Sequence, residues 1–258
     1  MGGVGGHAGQ YDIVYGTCDA FDGFDNRLGG LADSERYDNM ITYQTPKVGG
    51  VQATVQYSFQ KNTMLEEKAD EGTSKANRYA SFALTGEFGL LKTVAAYENH
   101  NYDSVTRPNV SDGHVFYLGG NYDLGVTKLF ALGQVFDGLR FGQFHFFTAT
   151  DENGTPYIDL SDKGSKGWGL HLGAKTPVLG GMLTTGAYYT DGKNESFANT
   201  NEDMDLRCAT FSMRYVYPLS KRTRLFCGTG YSDIRYAKTN ASIHQHQTQT
   251  YLGMAHAW

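Results

Sequence analysis

The side chains best suited to chemistry in this sequence are acids and histidines that fall in polar stretches. Asp19, Asp22 and Asp25 bring three carboxylates into a segment of seven residues, and charges of one sign gathered in this way set up a local potential. His244 and His246 lie two residues apart and offer fewer ligands than the three or four that a zinc ion takes from a protein. We therefore expect an exposed polar segment around the histidines and no metal site.

Sequence motifs for catalysis and for cofactor binding are absent. No GxSxG, HExxH or P-loop pattern occurs in the sequence. Asp151-Glu-Asn-Gly-Thr155 resembles a calcium loop, but its glycine has the wrong offset and Pro156 follows. The net charge of −5 comes from 22 basic and 27 acidic residues without a basic block, which argues against nucleic-acid binding. We expect no enzyme activity, no cofactor and no nucleic-acid partner.

The composition favours many short strands joined by tight turns. The sequence contains 33 glycines, 18 tyrosines and 15 phenylalanines but only 5 prolines. Its mean hydropathy is −0.44, and no run of about 18 apolar residues predicts a transmembrane helix. A strand that crosses a membrane in a barrel needs only every second residue to be apolar. A polar average is therefore compatible with a membrane barrel.

Apolar and polar residues alternate along most of the sequence. In 51–59 the odd positions are apolar or aromatic and the even positions are polar, which is the two-residue period of a strand with two different faces. Apolar stripes such as Phe82/Leu84 and Phe211/Met213 are expected to lie on the face opposite to polar residues such as Gln56. The period predicts about eleven strands and no helix, at 36–45, 51–59, 77–88, 91–100, 114–123, 127–137, 167–176, 182–190, 206–217, 224–236 and 248–258.

The connections between these predicted strands alternate between short and long. Short turns are expected at 46–50, 88–90, 123–126, 177–181 and 218–222, and long polar loops near 61–76, 101–113, 138–166, 191–205 and 237–247. A barrel that crosses a membrane sorts its connections in this way, with short turns on the periplasmic side and long loops outside. A soluble β-sandwich has no reason to do so. The sequence therefore predicts an all-β, antiparallel transmembrane β-barrel.

The cysteine pair Cys208 and Cys227 falls on two neighbouring predicted strands. With the turn centred near Ser220, Cys227 is expected to face Met213. Cys208 would then lie roughly 16 Å away along its strand, beyond the limit of about 7 Å between the Cα atoms of a disulfide. We expect no disulfide between Cys208 and Cys227.

Three segments resemble the Gram-negative trimeric porin family of Neisseria- and Burkholderia-type bacteria. Residues 36–57, Arg-Tyr-Asp-Asn-Met-Ile-Thr-Tyr-Gln-Thr-Pro-Lys-Val-Gly-Gly-Val-Gln-Ala-Thr-Val-Gln-Tyr, resemble the strand, turn and strand that follow the family's constriction loop. Tyr217-Pro-Leu-Ser-Lys-Arg-Thr223 resembles its turn before the penultimate strand, and Leu252-Gly-Met-Ala-His-Ala-Trp258 its closing strand. His256 and Trp258 then correspond to the C-terminal insertion signal, in which phenylalanine is the usual last residue.

The resemblance implies one porin domain over 1–258, with a constriction loop at 13–35 and about eleven barrel strands in 36–258. Because the family's barrel has about sixteen strands, roughly five N-terminal strands are expected to be missing. The first six residues, Met-Gly-Gly-Val-Gly-Gly, also lack the charged start and apolar core of a signal peptide.

The residues expected to act in the pore are acids from the loop and bases from the wall. By resemblance, Asp19, Asp22 and Asp25 belong to the constriction. Strand parity turns Arg36, Lys92, Lys128, His171, Lys175 and Arg214 towards the pore. Lys92, Lys128 and Lys175 fall near periplasmic strand ends, so Arg36 and Arg214 are the bases expected at the constriction, with Lys92, Lys128, His171 and Lys175 lining the pore.

The function implied is an outer-membrane porin whose water-filled channel passes small hydrophilic solutes and ions by passive diffusion. The resemblance also implies a homotrimer, contact with outer-membrane lipid and lipopolysaccharide, and insertion by the barrel-assembly machinery. Two alternatives stay open: an outer-membrane barrel enzyme of the phospholipase type and a soluble β-sandwich binding module. The enzyme would need a serine beside a histidine, and no serine is placed to pair with His256, which is expected to face lipid.

Overall fold

The computed structural model describes residues 37–60, 77–102, 111–139, 164–194, 203–238 and 241–257. Within these ranges the chain forms eleven strands. No helix in the described part of the chain is long and apolar enough to cross a membrane. The strands are β1 (Met40–Gln44), β2 (Val51–Ser58), β3 (Arg78–Phe88), β4 (Leu91–Asn101), β5 (Gly113–Asp123), β6 (Lys128–Leu139), β7 (Ser165–Val178), β8 (Gly181–Asn194), β9 (Met204–Pro218), β10 (Thr223–Lys238) and β11 (Ala241–His256).

Each strand pairs antiparallel with the next one along the chain, and the eleven strands form one sheet in the order β1 to β11. This order confirms the antiparallel arrangement that the sequence predicts. The short turns fall where they are expected. The connection between β7 and β8 is Leu179–Gly180, and both residues have a positive φ, of 48° and 79°. A two-residue hairpin turn of this kind matches the twist of the strands that it joins.

The two faces of the sheet differ in exposure. Burial alternates residue by residue along most strands, as in the pattern of β9, Met204–Pro218. We call the buried face the inner face and the exposed face the outer face. The outer face carries large apolar side chains that are 38% to 59% exposed, among them Phe82, Leu84, Phe116, Leu118, Leu170, Leu172, Phe211 and Met213. Gln56, Ser58, Thr210 and Ser212 lie on the inner face, as the alternation predicts.

The inner face is mixed in polarity, which the sequence did not predict. Next to its polar residues it carries a buried cluster that includes Val94, Tyr117, Leu132, Phe136 and Ile234. The face of a membrane barrel that contacts lipid must be apolar, because charged side chains there are destabilising. The opposite face has no such constraint, so it can carry apolar residues as well as polar ones.

Several strand ends extend further than the hydrophobic pattern indicates. The clearest case is 237–247, which the sequence predicts to be a long loop. In the structure β10 continues to Lys238 and β11 begins at Ala241, so only residues 239–240 lie between the strands. This prediction was wrong because the first part of β11 carries polar side chains on both faces, such as His244 and Gln245. The backbone ladder continues without the apolar alternation by which a strand is recognised.

Cys208 and Cys227 are both free thiols, so no disulfide joins them, as predicted. The predicted register was wrong by two residues: Cys227 faces Tyr215, and Cys208 faces Ile234. The turn is centred one residue later than expected, since the backbone N–H groups of Leu219 and Ser220 both donate to the carbonyl of Thr223. Cys208 is buried on the inner face and Cys227 is exposed on the outer face, so the two thiols also point apart.

A charge on the outer face is expected to cost stability according to its depth in the bilayer. Leu172 lies on this face of β7, six residues from the turn end at Val178, near the middle of an apolar band about 25 Å tall. Leu172→Arg should lower the unfolding free energy in lipid vesicles by about 2–4 kcal/mol. Thr176→Arg, on the same face of the same strand but two residues from the turn, is the control and should cost about 0–1 kcal/mol. Equal costs in urea titrations would show that this face is not in lipid.

Candidate pore-lining site

Three bases on the inner face lie in one line across neighbouring strands. Lys128 of β6 is the direct partner of Lys175 of β7. Lys175 faces Thr184 of β8, and Thr184 faces Arg214 of β9. We call Lys128, Lys175 and Arg214 the basic row. All three are half-buried, and each points to the same face as the buried polar residues of its strand, which agrees with the orientation that strand parity predicts.

The register changes the expected depth of Arg214. The sequence placed this residue apart from the lysines, because Lys128 and Lys175 are close to strand ends. In the structure Arg214 lies four residues from the end of β9 at Pro218, and Lys175 lies three residues from the end of β7 at Val178. The separation expected between Arg214 and the lysines is therefore wrong: the three bases share one row. The strand ends predicted from the sequence were not accurate enough to reveal this.

Aromatic rings hold two of the three cations. The Lys175 Nζ lies 5.4 Å from the centre of the Phe130 ring, and the Arg214 Cζ lies 5.5 Å from the centre of the Phe226 ring. Contacts of this geometry attract a cation without neutralising it. The Arg214 Nε is buried and donates no hydrogen bond within the described part of the chain. The row thus presents positive charge on the inner face.

Lys92 belongs to a different group at the turn end of the sheet. It faces Asn121 of β5, one inward-facing position away from the basic row. Its Nζ lies 3.6 Å from Glu87 Oε1, and Lys47 donates a hydrogen bond to Glu87 Oε2. Glu87 is therefore shared by two lysines, so the charge of Lys92 is partly compensated. Sequence reasoning missed this acid, although it is the direct cross-strand partner of Lys92.

His171 lies on the inner face, as predicted, but it is packed into the wall. Its side chain is 0% exposed, and its ring stacks on Tyr188 with the ring centres 4.5 Å apart. Tyr188 is the direct partner of His171 on β8. A ring that is completely buried against its neighbour shapes the wall and does not present its nitrogen atoms to a passing solute.

The remaining predicted site residues are divided between the outer face and the part of the chain that is not described. His256 points to the outer face with Leu252 and Met254, as expected, and its Nδ1 lies 2.9 Å from the Thr223 Oγ1. Asp19, Asp22, Asp25, Arg36 and Trp258 lie outside the described residues. The structure therefore brings Lys128, Lys175 and Arg214 together and gives no position for the loop acids.

Sequence comparison assigns the family. Residues 3–237 match the Gram-negative porin family, which covers nearly the whole chain. The chain belongs to the Gram-negative porin family. It is also 29% identical over 241 residues to an outer membrane porin protein of Bordetella pertussis. That alignment covers 84% of this chain and 59% of the Bordetella porin. This porin is accordingly an outer-membrane protein, and its all-β fold is that of a transmembrane barrel.

Solved structures agree on the fold. The porin superimposes on the anion-selective porin from Comamonas acidovorans with a TM-score of 0.56 and 22% identity, over 92% of this chain and 65% of that one. It superimposes on the outer membrane channel DcaP of Acinetobacter baumannii with a TM-score of 0.57 and 13% identity, over 94% and 68% of the two chains. At these identities the likeness concerns the fold alone. In a barrel of this fold, the inner face of the sheet lines the interior of the barrel.

Proposed function

We propose that this porin forms a water-filled channel through which small hydrophilic solutes and ions diffuse passively, and that the basic row is the part of the wall that selects among them. The observation that carries the proposal is the alignment of Lys128, Lys175 and Arg214 on the inner face across β6 to β9. We further propose a homotrimer that contacts outer-membrane lipid and lipopolysaccharide and is inserted by the barrel-assembly machinery.

The Lys128–Lys175 pair has an electrostatic cost that a channel for anions would explain. Like charges that face each other directly across two strands are destabilising, and neighbouring strands are only about 4.8 Å apart. A pair of this kind in the wall of a water-filled pore lowers its energy whenever an anion lies between the ammonium groups. The guanidinium of Arg214 adds a third positive charge two strands away from Lys175.

The constriction is proposed to form between this row and the loop at 13–35. In that arrangement Asp19, Asp22 and Asp25 stand opposite Arg36 and the basic row, and Lys92 and His171 complete the lining of the pore. Opposed acids and bases create a transverse field that orients polar solutes and penalises apolar ones. We propose a preference for anions, because the basic row places three positive charges side by side on one stretch of the wall, where Asp123 faces Lys128.

We propose no catalytic role. The members of the family named above are channels or porins. On the outer face His256 contacts the hydroxyl of Thr223, whereas an enzyme of the phospholipase type would need a serine beside the histidine.

Removing the basic row should shift ion selectivity towards cations. The triple variant K128Q/K175Q/R214Q of the full-length protein should lower the anion-to-cation permeability ratio at least about threefold at 0.1 M salt, where the Debye length is about 10 Å. The difference from wild type should shrink near 1 M, where that length is about 3 Å. Reversal potentials across a salt gradient in planar bilayers measure the ratio.

The control for this experiment removes the same number of positive charges from the outer face. Lys166, Lys193 and Arg207 lie there, and two of them form ion pairs, Lys193 with Asp203 and Arg207 with Asp191. The variant K166Q/K193Q/R207Q should keep the wild-type selectivity. Equal shifts in both triple variants, or none in either, would mean that the basic row does not act on permeating ions.

Neutralising the loop acids should have the opposite effect. The variant D19N/D22N/D25N removes three negative charges from the proposed constriction, where interaction energies exceed those in bulk water. It should raise the anion-to-cation permeability ratio measured from the reversal potential, again most strongly at low salt. Unchanged selectivity at low salt would show that these acids do not line the constriction, even if the basic-row variant behaves as expected.

A further inference from the structure

An aspartate and two histidines meet on the outer face of the last hairpin. Asp233 of β10 is the direct partner of His246 of β11, and His244 lies two residues from His246 on the same face. Asp233 Oδ2 is 2.7 Å from His244 Nε2 and 3.3 Å from His246 Nδ1. One ligand atom from each of the three residues lies within 4.8 Å of the other two.

We propose that Asp233, His244 and His246 bind a divalent transition-metal ion of the zinc type, which cross-links β10 and β11. Two imidazole nitrogens and one carboxylate oxygen suit Zn²⁺, Co²⁺, Ni²⁺ or Cu²⁺, whereas Ca²⁺ and Mg²⁺ take oxygen ligands. Metal–ligand bonds of about 2.0–2.2 Å at tetrahedral angles place ligand atoms about 3.3–3.6 Å apart. Small side-chain rotations therefore complete the site, and a fourth position stays open to water or an external ligand.

Two neighbouring side chains orient the ligands. The Arg235 Nε donates to Asp233 Oδ1 at 3.0 Å, so the other carboxylate oxygen is turned towards the histidines. The Tyr231 hydroxyl lies 2.6 Å from the His246 Nδ1, and its ring stacks on the His246 ring at 5.8 Å between centres; the stacking holds the imidazole against β10, and the hydroxyl moves aside when Nδ1 binds the metal. Partners in this outer shell fix the orientation of metal ligands in proteins.

The site is open to the external medium. His244 and His246 are 44% and 50% exposed, and Asp233 is 22% exposed. Asp233 lies ten residues beyond the start of β10 at Thr223, which is the periplasmic end of the strand. At about 3.3 Å per residue and a tilt near 45° this corresponds to a height of about 23 Å. The apolar band is about 25 Å tall, so the site lies at its extracellular edge.

The same sheet contains a natural control site. His114 of β5 is also exposed on the outer face, with its Nδ1 2.7 Å from the Tyr97 hydroxyl and its ring stacked on the tyrosine. Its direct cross-strand partner is Asp137. It therefore has the tyrosine and the aspartate of the proposed site, and it is not part of any three-ligand group within the described residues.

The test is a titration of the detergent-solubilised full-length protein, prepared without a histidine tag, with ZnCl₂ in a calorimeter and with CoCl₂ by visible absorption. We expect one site per chain. Zn²⁺ affinity should fall by about tenfold or more in D233N and in H244Q/H246Q. Loss of a residue that only orients a ligand already costs about tenfold or more, and loss of a ligand should cost at least as much. The H114Q variant should bind like wild type. Circular dichroism checks that each variant keeps its β-structure.

A second measurement needs no variant. Zn²⁺ should protect His244 and His246 from diethyl pyrocarbonate in the wild-type protein, and mass spectrometry should find His114 and His256 modified to the same extent with and without the metal. Full Zn²⁺ affinity in H244Q/H246Q, an equal loss in H114Q, or no protection of the two histidines would overturn the proposal. The three residues would then form only a hydrogen-bonded network around Asp233.

Discussion

The hydrogen-bonded register between neighbouring strands determines which face each side chain occupies and which residue it meets on the next strand. In lipid each backbone N–H and C=O must find its partner within the protein, and a sheet satisfies this need only by pairing strand with strand. Once the pairing is set, each side chain has a fixed face and a fixed partner. A shift of one residue would turn every outward apolar side chain inward. The apolar outer face therefore makes the register of the membrane-spanning part costly to change.

Both functional proposals depend on that register and not on nearness in the sequence. Lys128, Lys175 and Arg214 are spread over β6 to β9, and only the ladder places them in one row. Asp233 and His246 likewise become neighbours because β10 pairs with β11. The two groups use opposite faces of the sheet. The basic row faces the interior of the barrel, and the histidine group faces outward at the edge of the apolar band.

The sequence predicted the membrane-spanning part of the strands well, because there the lipid enforces an alternation that can be read directly, as in β2 and β9. The prediction failed in the strand ends and turns that lie outside the lipid, where no such alternation is required. Residues 241–247 were expected in a loop, yet they form β11 with polar residues on both faces. The turn at 219–222 shifted the β9–β10 register by two residues. Such details depend on cross-strand contacts, so Asp233 could not be recognised as the third member of the histidine group.

The orientation of the two faces is tested most directly by a spin-label scan along β9. Single labels at positions 209–214, introduced into a protein whose Cys18, Cys208 and Cys227 are replaced by serine, report access to oxygen from lipid and to a nickel chelate from water. Ala209, Phe211 and Met213 should give oxygen maxima, and Thr210, Ser212 and Arg214 should give maxima for the chelate. A period of two in opposite phases is the expected result. The reverse phase, or no period, would contradict the assignment of the inner face to water and of the outer face to lipid.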